Sequence, residues 1–124
     1  MARAVEMAHA EGIPVLSYDR LITNAETDLY ITFDNVKVGE LQARFLAEKI
    51  PAGGRMRLVR IYGAKTDNNA RLFKQGQDKV LQPLIKEGKI EVVFEDWAED
   101  WKPENAKKIT NAAITKAGQN IDAI

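Results

Sequence analysis

MRLVRIYGAKTDNNARLFKQGQDKVLQPLIKEGKIEVVFE, Met56 to Glu95, places a helical run between two β-rich ones. MRLVRIY (56–62) is rich in branched aliphatics and reads as a strand. Asn68 to about Glu87 reads as a helix, with Phe73, Val80, Leu81 and Leu84 inward. Pro83 falls late in that helix and is expected to kink or shorten it. Gly88 ends it, and IEVVFE (90–95) is the next strand. Strand, helix, strand predicts a parallel pair of strands with the helix packed across it.

The pattern repeats outward in both directions. Residues 2–11 read as a short helix closed by Gly12, and Ile13 to Tyr18 as a buried strand. LYITF (29–33) is a second β-rich run. Asp34 or Asn35 can then cap a helix with Val38, Leu41, Phe45 and Leu46 on one face, ending before PAGG (51–54). Beyond the fourth strand, Pro103 suits a first helical turn. The helix it opens runs through Ala117 and closes at Gly118, and IDAI (121–124) begins a fifth strand. The expected fold is α/β, a parallel sheet with flanking helices in Rossmann-like layers. The one strand-to-strand step, within 13–33, marks a change of lobe. A chain that opens on a helix and closes on a strand reads as a piece from the middle of a larger protein.

Composition narrows the function classes. Eighteen basic and eighteen acidic side chains balance, so charge gives no case for nucleic acid or an anionic membrane. There is no cysteine, which removes disulfides, thiol nucleophiles and Cys-ligated metals. No apolar run approaches the roughly 20 residues of a membrane span. MARAVEMAHAEG (1–12) is a charged helix pattern and not a signal peptide. His9 is the one histidine and reads as a surface residue. GAKT (63–66) falls short of a phosphate loop, because Ala64 precedes Lys65 where the motif needs glycine. There is no nucleophile elbow, and Asp19 lacks the partner acids of a phospho-acceptor site. No enzyme, metal or cofactor is expected.

Three polar or aromatic groups fall just after strands. They are Asp19-Arg20, the turn TDNNARLF (66–73) with Asp67, Asn68 and Asn69, and EDWAEDW (95–101) with Trp97 and Trp101. Ligands of open α/β sheets bind outside the carboxyl ends of the strands. Carboxylates accept from hydroxyls, amides do both, and guanidinium donates in a planar fork. A tryptophan face covers the C–H surface of a pyranose. These residue types suit a neutral polyhydroxylated ligand, bound and not transformed. Each has a plainer role open to it: Asp67 as a helix cap, Asn68 and Asn69 as turn residues, Asp19-Arg20 as an ion pair, Trp97 as core.

IPVLSYDR (13–20), followed by DLYITFDNVKVGELQA (28–43), resembles the periplasmic sugar-binding proteins of ABC importers. TDNNARLFKQGQDKVLQPLI (66–85) and DWAEDWKPENAKKI (96–109) extend the likeness over nearly the whole chain and bring it nearest to the xylose binders. The resemblance implies two α/β lobes that close on a sugar about a hinge. It places 1–33 in the first lobe and 34–124 in the second, with the first crossing near Phe33–Asn35. It implies sugar contacts at Asp19 and Arg20 from one lobe and at Asp67, Asn69 and Trp101 from the other, which favours Trp101 over Trp97 as the stacking ring. It also implies D-xylose or a similar pentose as ligand, and ABC importer membrane subunits as partners of an intact parent. That parent would be periplasmic or lipid-anchored outside the cell. Because strands that complete both lobes in the family have no counterpart here, the site is expected to be incomplete and the chain to self-associate. Two rivals share the fold: a sugar-sensing regulatory domain, and a self-associating half-protein that binds no ligand.

Overall fold

In the computed structural model, which describes residues 1–118 and 120–124, the elements alternate as their sequence patterns require. They are α1 (Ala2–Ala10), β1 (Leu16–Tyr18), β2 (Leu29–Ile31), α2 (Asn35–Ala47), β3 (Met56–Tyr62), α3 (Asn68–Lys86), β4 (Ile90–Trp97) and α4 (Pro103–Ala117). A tight turn over Glu99–Trp101 joins β4 to α4. Helix α3 is not shortened by Pro83 and continues past it to Lys86.

The strands form two separate parallel pairs, not one sheet. β1 pairs with β2, Ser17 opposite Tyr30, and the loop 19–28 joins them where a helix would usually cross over. β3 pairs with β4 from Met56↔Ile90 to Tyr62↔Trp97, with a register shift between Leu58 and Val59. On the other side of β3, Leu58 bridges Ala123 in parallel, and Val59 N donates to Ala123 O at 3.0 Å. The expected fifth strand is thus one bridge, pinned by Asp122, whose carboxylate accepts from Arg57 N at 2.6 Å. This leaves β3 central, and Leu58 and Val59 are fully buried on its opposite faces.

The core gathers Ala43, Met56, Leu58, Leu81 and Ile90 between the β3–β4 pair and helices α2 and α3. Helix α4 covers the other face with Ile109 and Ala113. Two glycines set how α2 meets α3. A Cβ at Gly39 would lie 2.9 Å from Phe73 C and 3.0 Å from Gln77 N. A Cβ at Gly76 would lie 2.8 Å from Glu40 N and 2.9 Å from Val36 C. Each glycine receives the other helix's backbone, so the axes approach more closely than side chains would permit. This corrects the expected face of α2 in part: Leu46 packs against the core as expected, but Leu41 and Phe45 do not. Asn35, Gly39 and Ala43 are buried, whereas Leu41 and Phe45 are 55% and 62% exposed. Periodicity weighted by hydrophobicity pointed to the large residues, but backbone contact selected the small ones.

The strand expected at 13–18 is also shorter and less buried than its composition suggests. Within it only Ser17 is buried; Ile13, Leu16 and Tyr18 are exposed, as are Leu29 and Ile31 on β2. No other element of the described residues covers that face. The segment is tied together by Asp28, which accepts from Val15 N at 2.7 Å and bonds His9 Nε2 at 2.9 Å. The backbone bond from Val15 and the His9 bond hold the Asp28 carboxyl below its ordinary value of 3.8.

Two outcomes follow from this packing. Gly76→Val should destabilise the chain by about 1–3 kcal/mol in urea unfolding, because its side chain has only the α2 backbone to displace. Asp28→Asn should lower the melting temperature near about pH 5. A carboxylate whose folded pKa is depressed stabilises above its unfolded value and loses that contribution as pH falls through the folded one. The gap between wild type and variant should therefore close as pH drops below about 3.8.

Candidate functional site

The loop 63–66 carries the chain from the end of β3 into α3, and Asp67 caps that helix. Its Oδ1 accepts from Asn69 N at 3.0 Å, the cap interaction expected from sequence. Its Oδ2 faces the other way, accepts from Trp101 Nε1 at 2.9 Å and forms an ion pair with Arg20 Nη2 at 3.0 Å. The Asp67 side chain is 5% exposed and that of Arg20 is 62% exposed. One oxygen of this carboxylate therefore serves the helix cap, and the other faces Trp101 and Arg20.

Asp19 follows β1 with φ +65, a left-handed conformation that a non-glycine residue adopts at a cost. Its surroundings fix that conformation. Asp19 N–H donates to Ile31 O at 2.8 Å, and its carbonyl accepts from Asn69 Nδ2 at 3.0 Å. The same Nδ2 lies 3.3 Å from Asp19 Oδ1. On the other side of that amide, Asn69 Oδ1 accepts from Asn35 Nδ2 at 3.0 Å and from the Tyr30 hydroxyl at 3.4 Å. Asn35 is 3% exposed and also donates to Thr32 Oγ1 at 3.2 Å. The Asn69 amide thus has one orientation, oxygen toward Asn35 and nitrogen toward Asp19.

Trp101 arrives from the third strand end. The turn after β4 carries Asp100 and Trp101 at φ +55 and +58, which swings the indole back over the β3–α3 loop. Two of the site's side chains, Asp19 and Trp101, thus project from left-handed backbone.

All five residues singled out from sequence, Asp19, Arg20, Asp67, Asn69 and Trp101, meet in one cluster, four through hydrogen bonds and Arg20 through its ion pair with Asp67. Trp97 does not join it; its ring packs on Tyr62 with centroids 4.7 Å apart. His9 lies elsewhere, with Asp28. Sequence reading missed Tyr30 and treated Asn35 only as a possible cap, because a strand tyrosine and an asparagine at a helix start carry no mark of a distant partner. Among the described residues, every side-chain hydrogen bond or ion pair from residues 1–31 to residues beyond 35 ends on Asp67 or Asn69.

Beneath the site, the end of β3 is braced by charge. Buried Arg60 pairs with Asp78 at 2.8 Å and donates to Gln77 Oε1 at 3.0 Å. The Tyr62 hydroxyl donates to Glu95, and burial together with that bond pushes its pKa well above the usual phenol range. Burial acts to raise the Asp78 carboxyl, but Lys74 and Arg60 outweigh it and hold it low.

The cluster offers two carboxylates, two amides, a guanidinium and an aromatic face, and no Ser, Cys or His. Its chemistry is that of recognition: it can orient hydroxyls and cover one face of a ring.

A family model described as "periplasmic binding protein domain" matches residues 1–124. The chain belongs to the periplasmic binding protein family. Periplasmic binding proteins are solute receptors, not enzymes, and their fold is two-lobed. The chain is 48% identical over 124 residues to the D-xylose-binding periplasmic protein of Escherichia coli (strain K12), covering 100% of this chain and 37% of that protein. It is 46% identical, again over its whole length, to the protein of the same description from Haemophilus influenzae, of which it covers 36%. The chain thus spans little more than a third of the length of these curated relatives. Among solved structures, an ABC transporter solute-binding protein from Clostridium phytofermentans with bound β-D-glucose superposes with a TM-score of 0.88 at 31% identity. That match covers 99% of this chain and 42% of the other.

The cluster predicts unequal costs for its members. Asp67→Ala removes the α3 cap and strands the Trp101 indole N–H, and should destabilise by about 1–2 kcal/mol in chemical denaturation. Arg20→Ala removes only a mostly solvated partner of the same carboxylate and should cost under about 1 kcal/mol.

Proposed function

We propose that this chain supplies sugar-binding side chains to a periplasmic solute receptor of an ABC importer, with D-xylose as ligand. One observation carries the reading: the ends of β1 and β4 bring the Arg20 guanidinium and the Trp101 indole onto the Asp67 carboxylate that follows β3, and the neighbouring Asn69 amide bonds Asp19. The names of the E. coli and H. influenzae relatives support the choice of sugar. Residues 1–33 belong to the first lobe and 34–124 to the second, with the crossing near Phe33–Asn35. In this arrangement Asp19 and Arg20 form one jaw, and Asp67, Asn69 and Trp101 the other.

The same polar groups that meet each other across the jaws can meet a sugar. A hydroxyl entering between Arg20 and Asp67 donates to the carboxylate and accepts from the guanidinium, so the exchange leaves no buried charge unpaired. Each charge-assisted bond contributes about 1.5–3 kcal/mol. Trp101 is 42% exposed, which leaves indole surface for the C–H face of a pyranose. Closure of the jaws about the sugar is the mechanism, and no bond is made or broken. An intact parent works in the periplasm with the importer's membrane subunits.

The test is titration of D-xylose into the 124-residue chain, followed by amide and indole NMR. Five side chains alone should give an affinity in the millimolar range, about −4 kcal/mol. Shifts should centre on Arg20, Asn69 and Trp101. Trp101→Ala and Arg20→Ala should each weaken binding about tenfold, roughly 1.4 kcal/mol. Shifts scattered away from these residues, or an affinity that neither substitution changes, would sink the reading.

A further inference from the structure

Gly63 lies at the foot of the site and is buried. Its backbone does not call for glycine: the glycines at left-handed φ are Gly12, Gly53, Gly88 and Gly118. What calls for glycine is a neighbour. A Cβ built at Gly63 would stand 2.5 Å from Trp101 Cε2 and nearer still to Cζ2 and Cη2. The benzene half of the indole therefore rests directly on the Gly63 main chain. The other half is tethered by Nε1, which donates to Asp67 Oδ2 at 2.9 Å. The left-handed backbone at Asp100 and Trp101 drives the ring down onto this seat.

We propose that Gly63 is a positioning residue that sets the height of the Trp101 ring, and through it the depth of the sugar site. The proposal rests on the reading of Trp101 as the stacking ring. With the indole lying on Gly63, ring surface on the solvent side is left for a ligand. That arrangement suits a pyranose ring that turns an apolar C–H face to the indole. Any side chain at position 63 must lift the indole toward the space the sugar would occupy. Lifting it also draws Nε1 away from Asp67.

A mutant cycle tests this in the 124-residue chain. Gly63→Ala should lower the melting temperature by several degrees. In the Trp101→Ala background the same change should cost almost nothing, because the ring it collides with is gone. The two tryptophans give two indole N–H resonances, and the one lost in Trp101→Ala identifies Trp101. In Gly63→Ala that resonance should move upfield as the bond to Asp67 weakens, while the Trp97 resonance stays. D-Xylose affinity should fall tenfold or more in Gly63→Ala, matching Trp101→Ala. If Gly63→Ala does not fold, a folded Gly63→Ala/Trp101→Ala chain supports the proposal and an unfolded one overturns it. Equal losses of melting temperature in both backgrounds, or an unmoved Trp101 resonance, also overturn it. Unchanged D-xylose affinity in Trp101→Ala removes the sugar role of Trp101 and with it the claim about depth. In that case the cycle and the resonance still decide whether Gly63 seats the ring.

Discussion

The Asp67 carboxylate is where three remote pieces of chain are fastened together. One oxygen caps α3 by accepting from Asn69 N, and the other accepts from Trp101 and pairs with the Arg20 charge. A carboxylate has enough lone pairs for both donors, and its near-complete burial makes those bonds matter. Remove it, and the helix loses its cap, the indole its tether and the arginine its counter-charge at once. Asn69, two residues on, extends the junction to Asp19, and Asn35 with Tyr30 fixes which way its amide points. Joined mainly by these polar contacts, residues 1–31 and the rest of the chain meet through groups that can exchange partners with a hydroxylated ligand.

The rest of the molecule holds this junction in place. Strand β3 is central, and its burial anchors the loop that presents Asp67. The reciprocal seating of Gly39 and Gly76 brings α2 hard against α3, which fixes Asn35 at the start of one helix beside Asn69 at the start of the other. Packing that excludes a methyl group transmits position well, because dense interiors do not deform continuously. Gly63 applies the same device to Trp101. Three glycines in ordinary backbone conformations thus serve as seats for neighbours.

Much of the α/β order was legible, because Met56–Tyr62 and Ile90–Trp97 are β-rich runs around a helical pattern at Asn68–Lys86, with a stop signal at Gly88 and a start signal at Pro103. The α2 face was not. Leu41 and Phe45 announce themselves as core by hydrophobicity, yet α3 packs on Gly39 and Ala43. Helical periodicity says which residues share a face, not which face a neighbour will choose. The parallel pairing of β1 with β2 without a crossover helix was not legible either: β-rich runs advertise pairing but not partners. At the site, chemistry and place after strands marked Asp19, Arg20, Asp67, Asn68, Asn69, Trp97 and Trp101 as candidates, and the family resemblance narrowed them to Asp19, Arg20, Asp67, Asn69 and Trp101. Tyr30 and Asn35 were not, since their roles exist only through contact with Asn69.

The sequence by itself determined the alternation of strands and helices, the cap at Asp67, and a set of side chains suited to recognition and not to bond-breaking. These are local properties, written in periodicity, in the residue that starts a helix and in the functional groups present. Tertiary structure alone decided that Arg20 and Trp101 share one carboxylate oxygen, although 81 positions separate their numbers in the chain. It also decided the single orientation of the Asn69 amide, and that Gly63 must be glycine for the sake of a ring and not of its own backbone. These are facts about which surfaces approach in space. Approach is set by the balance of packing over the whole chain, which no local stretch of sequence encodes.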